Sequence, residues 1–282
     1  GTAERWIISR LQTTERTVND AIAGYRMDQA AQAIYEFIWD EYCDWYLELS
    51  KPALQDAGDD AAARGTRRTL VTVLEAVLRL AHPIMPFVTE AIWQRVAPLA
   101  GVSGETVMTQ PFPVAEPARE DPEAEAEIDW LQRFILGIRR IRGEMDIAPG
   151  KPLPVLLGNA SAQDLDRLER HRAALDFLGR LESVTVLDAA DNAPESALAL
   201  VDQLEIRVPM AGLIDKDAEL TRLEKERSRL AGDIQRTEGK LGNERFVTRA
   251  PADVVQKERD KLAEAQAALG RIEDQINRIA RL

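Results

Sequence analysis

Residues 217–282 read DAELTRLEKERSRLAGDIQRTEGKLGNERFVTRAPADVVQKERDKLAEAQAALGRIEDQINRIARL, and they contain two helical seams with one break between them. Leu220, Leu223, Leu230, Ile234 and Leu241 advance in threes, fours and sevens. Leu262, Ala265, Leu269, Ile272, Ile276 and Ile279 advance as three, four, three, four, three, the heptad spacing of a coiled coil. Gly242 and Asn243 tolerate the left-handed stop of one helix, and Pro251 suits the first turn of the next. Two narrow apolar stripes joined by so short a segment predict an antiparallel hairpin whose first helix alone is about 40 Å long. Most of each helix is then left for solvent or for a partner.

Working outward, 282 residues favour two or three domains. The expected divisions are a helical bundle over 1–148, a small α/β junction domain over 149–214 and the hairpin over 215–282. The fold class is therefore mainly α. No apolar run is long enough to cross a bilayer: even Leu70 to Val88 contains Glu75 and Arg79. No signal peptide is read at the start. Cys43 is a single cysteine and so forms no internal disulfide, and with two histidines in the chain no protein-only metal site is expected. A reducing cytoplasmic setting follows as the expectation. The net charge of −12 is unevenly spread, because the stretch from Lys216 onward holds 15 basic against 13 acidic residues. The preceding residues carry 21 against 35, so the hairpin is the least acidic part, although so mild an excess does not by itself announce an RNA binder, since Lys/Glu-rich coils are usually solvated helices.

Taken in order, Trp6, Ile7, Leu11, Val18 and Ile22 share one helix face that Gly24 closes. A second helix capped by Asp28 turns Ile34, Ile38, Trp45 and Leu49 inward, with Pro52 expected to end it and Asp56 to Arg64 expected as a polar connector. A third helix carries Leu70, Leu74, Val77 and Leu78 and stops before Pro83. Pro86 starts a fourth, carrying Phe87, Ile92 and Trp93 inward and ending before Pro98. Short joints between amphipathic helices predict an antiparallel bundle. After a loop from Gly101 to Glu120, Asp121-Pro122-Glu123 starts a helix through Ile128, Leu131, Ile135 and Ile138 to about Met145. The period then changes: a strand at 153–157, a helix over 162–181, a strand at 184–187 and a hairpin of 197–201 with 204–209 predict a three- or four-stranded mixed sheet, with Gly212 to Asp215 as a hinge.

Two groups of side chains have double readings. Tyr35, Phe37, Trp39, Tyr42, Trp45 and Tyr46 are either bundle core or platforms on which unpaired bases stack. Six rings in twelve residues cannot all face one way, so one or two are expected at the surface. Arg139, Arg140 and Arg142 either grip phosphates or complement the negative end of their helix. His82 reads as a helix-end cap. No glycine-rich phosphate loop follows a strand, no nucleophile constellation is present, and adjacent acidic residues on a helix do not converge on one atom, so no catalytic residue is assigned.

The run Ala3-Glu4-Arg5-Trp6-Ile7-Ile8-Ser9-Arg10-Leu11, with Tyr35-Glu36-Phe37-Ile38-Trp39, Cys43-Asp44-Trp45-Tyr46-Leu47-Glu48 and His82-Pro83-Ile84-Met85-Pro86-Phe87, resembles the helical anticodon-binding domain of class I aminoacyl-tRNA synthetases of the valine, isoleucine and leucine group. Asn243-Glu244-Arg245-Phe246-Val247, Ala250-Pro251 and Glu258-Arg259-Asp260-Lys261-Leu262 resemble the hairpin arm of bacterial valyl-tRNA synthetases, and Ile138-Arg139-Arg140-Ile141-Arg142-Gly143-Glu144-Met145 is similar to their connecting helix. Two positions depart from the pattern: Met27 stands where phenylalanine often follows Tyr25-Arg26, and Gly242 where serine is common. The resemblance implies a monomer that binds tRNA for valine, the bundle holding the anticodon stem-loop and the arm touching the elbow. It implies Phe246 against an elbow base pair, with packing inside the turn as the other reading, and Arg245 and Arg249 on phosphates nearby. On the anticodon side it points to Arg139, Arg140 and Arg142. It further implies that ATP and magnesium serve a catalytic domain preceding residue 1, that this stretch needs no cofactor, and that it is inactive alone. A heptad by itself fits equally well a scaffold whose coil pairs with a second copy.

Overall fold

The computed structural model describes residues 1–55, 61–188, 193–210, 216–242 and 252–280. The chain divides into two compact units, one of Gly1–Ala189 with Leu198–Ile206 and one of Ala190–Ala197 with Arg207–Leu282.

In the first unit, α1 (Thr2–Ala23) buries Trp6, Ile7, Leu11 and Val18 on one face, as the spacing predicts. The second helix is α2 (Met27–Glu36), a π-helical segment (Phe37–Tyr46) and α3 (Leu47–Gln55) run end to end. Its N-cap is Arg26 rather than Asp28, whose carboxylate is taken by the Arg26 guanidinium at 2.9 Å. Pro52 does not stop it; the helix persists three residues further, to Gln55. The expected connector is shortened too: α4 (Ala61–Ala81) already includes Ala61 to Arg64, and 56–60 fall outside the described residues. Next, α5 (Pro86–Ala100) runs through Pro98 to Gly101, whose left-handed φ of 76° caps it. Trp93 of α5 is buried, donating to Glu75 of α4 at 2.8 Å, whereas Phe87 and Ile92, expected inward, are exposed.

The loop after α5, with short 3-10 turns at Val107–Thr109 and Pro117–Arg119, is tied to α1 by side chains. The Glu116 N–H donates to Gln12 Oε1 at 2.7 Å, Asn19 donates to the Pro113 carbonyl at 2.9 Å, and the Asp121 N–H donates to Ser9 Oγ at 2.7 Å. Asp121 then caps α6 (Pro122–Glu144) by accepting from the Ala124 N–H. Helix α6 is apolar on nearly every turn: Ile128, Trp130, Leu131, Phe134, Ile135, Ile138 and Ile141 are fully buried, each worth roughly 1.5–3 kcal/mol. One helix has so many buried faces because α6 packs both on α1 of the bundle and on the small α/β module.

That module has β1 (Leu153–Gly158), α7 (Ala162–Arg170), α8 (Arg172–Gly179), β2 (Leu181–Val186), β3 (Ser196–Val201) and β4 (Leu204–Pro209) in one sheet of order β2-β1-β4-β3. Strands β1 and β2 pair in parallel across the α7–α8 crossover, with an irregularity beside Pro154, which has no N–H to give the ladder. The single helix expected over 162–181 is broken at His171, whose ring is drawn to Glu127 of α6 at 2.5 Å. Arg180, at φ 52°, then ends α8, so Leu181 opens a strand instead of closing a helix. Gly137 of α6 faces Ala199, where an added Cβ would come within 3.0 Å, so the helix lies close against β3.

In the second unit, α9 (Lys216–Leu241) and α10 (Ala252–Ala280) pack along one another. Lys240 pairs with Glu258 at 3.7 Å and Gln266 donates to Glu238 at 3.4 Å; partners separate in opposite senses along the two helices, so the pair is an antiparallel hairpin. Leu223 and Val255 are buried. Leu220, Leu230, Ile234 and Leu241, with Leu262, Ala265, Leu269, Ile272 and Ile276, are half-buried, as a narrow two-helix seam requires. The expected hinge at 212–215 lies outside the described residues.

Candidate nucleic-acid interface

Helices α1 and α4 run in the same direction. Thr66, near the start of α4, donates to Glu4, near the start of α1, at 2.7 Å, and further along Arg79 acts on Glu15. Their far ends, and with them the α1–α2 and α4–α5 joints, therefore lie at one end of the bundle.

Both joints there are exposed and apolar. Tyr25 sits at φ 57°, a left-handed conformation that is strained for a bulky residue, and its ring is 89 % exposed. The turn is held from below by the Arg26 N–H donating to the Ala21 carbonyl at 2.8 Å and the Tyr25 N–H donating to Ile22 at 3.0 Å. Met27 follows, also exposed. The other joint shows Ile84, Met85, Val88 and Phe87, the last 89 % exposed, while His82 Nδ1 meets Thr89 Oγ1 at 2.8 Å and steadies the start of α5. Exposed apolar side chains on both joints of one bundle end make this end the candidate contact surface.

The aromatic run of the second helix divides between core and surface, with two rings outside as expected. Phe37, Tyr42 and Tyr46 are buried, with Tyr42 donating to the Leu70 carbonyl at 3.0 Å. Tyr35 and Trp39 are more than half exposed and stack on one another, centroids 6.3 Å apart and planes 7° from parallel. Trp45 is half-buried beneath the Arg139 guanidinium, 5.4 Å from its ring centre.

The three arginines of α6 separate. Arg139 and Arg140 are exposed, the latter loosely paired with Glu144 at 3.9 Å. Arg142 departs from the phosphate reading: it is 8 % exposed, and its guanidinium donates to the carbonyls of Ala148 and Lys151 and of Gly179 and Arg180, at 2.7 to 3.2 Å. Burial, and then the Arg180 charge, pull its pKa down from the ordinary arginine value. It stitches the end of α6 to the turns around β1 and α8. At the hairpin tip, Arg245, Phe246 and Arg249 lie outside the described residues. The sequence reading missed Tyr25 and Phe87. The adjacent Gly24-Tyr25 and Pro86-Phe87 were the available signal, since a ring placed in a tight joint has little core to enter.

Comparison with known families gives two matches on separate parts of the chain. Residues 4–157 match the family described as the anticodon-binding domain of tRNA ligase. The chain belongs to this family. Residues 215–280 match the valyl-tRNA synthetase tRNA-binding arm. The pair of matches makes this the tRNA-binding region of a valyl-tRNA synthetase, with tRNA as its partner and a ligase as its enzyme class. Among the described residues no helix is long and apolar enough to cross a membrane, and no cluster of histidine, cysteine and carboxylates is placed to hold a metal.

Proposed function

We propose that this chain grips tRNA for valine at two separated places, as the tRNA-holding part of a cytoplasmic, monomeric valine-tRNA ligase. The observation that carries the reading is the exposed apolar end of the bundle, where Tyr25, Met27 and Phe87 stand free on an anticodon-binding fold. Proteins read RNA sequence mainly at single-stranded loops, whose splayed bases stack on aromatic rings and offer their edges. In this reading the anticodon loop meets that end, and Arg139 and Arg140 meet phosphates of the adjoining stem. Arg142 is left to the fold. A helix pair about 40 Å long lies along the body of the tRNA, and Phe246 stacks at the elbow with Arg245 and Arg249 on phosphates. Two tethered grips raise affinity through effective concentration without any new contact. ATP and magnesium serve a catalytic domain outside these residues, and the chain alone does not charge tRNA.

The test compares binding of tRNA for valine by the chain, by a version cut after Ile214 and by Phe246→Ala, across a salt series. Loss of affinity on truncation, a smaller loss for the alanine variant and a steep fall with salt are expected. Equal binding by the cut version removes the arm from the proposal. Sedimentation independent of protein concentration is expected of the monomer, and self-association through the hairpin would favour a scaffold instead.

A further inference from the structure

Between α1, α4 and the loop at 101–120 lies a recess of about 440 Å³, within the size range of small-molecule sites, roughly 300–1,000 Å³. Glu15 lines it, 5 % exposed, and among the described residues no donor or cation bonds its carboxylate. Its oxygens are not sealed from solvent and open on the recess, yet a carboxylate this nearly buried with no donor beside it is costly, so its persistence needs a reason. Two of the surrounding arginines are engaged elsewhere: Arg79 with Glu75 at 2.9 Å and with the Pro111 carbonyl, and Arg119 with Glu116 at 3.3 Å. Arg68, an exposed residue on the same lining whose guanidinium water can reach, has no hydrogen-bond or ion-pair partner among the described residues. One recess thus holds an unpartnered carboxylate and an unpartnered guanidinium that do not meet each other, on a wall that also includes Leu11 and Val73. A cation alone would face the arginines; an anion alone would face Glu15 and Glu116. A molecule carrying both charges satisfies both ends.

We propose that this recess binds a small zwitterion of amino-acid to dipeptide size with an apolar side chain, its ammonium on Glu15 and its carboxylate on Arg68. The site lies on the flank of the bundle and is independent of the tRNA reading, which stands or falls on its own experiment. Burial also raises the Glu15 pKa to about 7, against the pull of Arg119 and Arg79 and with a push from Glu116, so the carboxylate takes up a proton when no ammonium is there.

The test is calorimetric titration of the full chain with L-leucine and with leucyl-leucine. Two half-ligands serve as controls: 4-methylpentanoate, which lacks the ammonium, and leucine methyl ester, which lacks the carboxylate. Saturable binding of at least one zwitterion in the millimolar range or tighter is expected, weakened at least tenfold for both half-ligands on the unmodified protein. Glu15→Gln and Arg68→Ala, checked for unchanged helicity, are each expected to weaken it to a similar degree, and binding is expected to tighten from pH ~6 to ~8 as Glu15 ionises. No saturable heat from either zwitterion, or half-ligands that bind as well as the whole, overturns the proposal.

Discussion

The guanidinium of Arg139 lies 5.4 Å from the centre of the Trp45 ring, and this contact joins the last turns of α6 to the end of the π-helical segment. It also fixes which way an exposed cation points on an otherwise strongly acidic bundle. Exposed pairs of this kind couple by about 0.5–1 kcal/mol. A double-mutant cycle of Arg139→Ala with Trp45→Ala in urea unfolding is expected to return a coupling of that size.

Arg142 and its neighbours should behave oppositely in two assays. Arg142→Ala removes the side-chain donor shared by the carbonyls of Ala148, Lys151, Gly179 and Arg180, of which the Gly179 bond is the buried one, and a loss of about 1.5–3 kcal/mol in unfolding free energy is expected. Arg139→Ala with Arg140→Ala is expected to cost about 1 kcal/mol or less in stability. That pair should instead weaken tRNA binding and lower the salt slope by roughly one to two.

Tyr25 combines a strained backbone with a side chain open to solvent. Tyr25→Ala and Phe87→Ala remove rings that bury almost nothing in the chain, so stability should stay within about 0.5 kcal/mol. Each should weaken binding of tRNA by about 1–3 kcal/mol, roughly 5- to 150-fold, if a base stacks there. Tyr25→Gly accepts φ 57° without a Cβ clash, and is expected to melt higher than the parent while binding tRNA no better than Tyr25→Ala.

Glu15 sets a pH dependence whose sign follows from burial. Its pKa rises from 4.5 in the unfolded chain to about 7 in the fold, so the native state holds a proton that the unfolded state releases between those values. Its most favourable contribution is present below about 4.5 and is lost as pH rises through 7. Between pH ~8 and ~6 the melting temperature should rise by about 2–4 °C more in the parent than in Glu15→Gln. That corresponds to roughly 1 kcal/mol once water in the recess screens part of the burial cost. A Glu15→Gln chain with the same pH dependence as the parent would exclude Glu15 as the titrating group.

Much of the fold was legible from local pattern. The heptad positions of α9 and α10 are buried or half-buried where the structure describes them, although Val255, the buried residue of α10, lies outside the named set, and Asp121-Pro122 marked the start of α6. The errors fell where a distant partner overrode local preference. The helix breaks at His171, whose partner Glu127 is 44 residues away in sequence but within bonding distance. Pro52 and Pro98 fail to stop their helices because each lies within three residues of an end. Phe87 and Ile92 match a core pattern yet face outward, because α5 has a narrow buried face centred on Thr89, Trp93 and Ala97.

Residue spacing alone determined that this chain makes amphipathic helices, a small sheet and a two-helix hairpin, since periodicity is a property of neighbours along the backbone. Only the tertiary structure decided which of six clustered rings stay outside, that Arg142 turns inward while Arg139 and Arg140 do not, and that Glu15 is enclosed without a partner. Those outcomes depend on what another segment covers. The free energy of a polar or aromatic side chain is set by the water it loses and the atoms that replace it, and neither can be counted until the chain has folded back on itself.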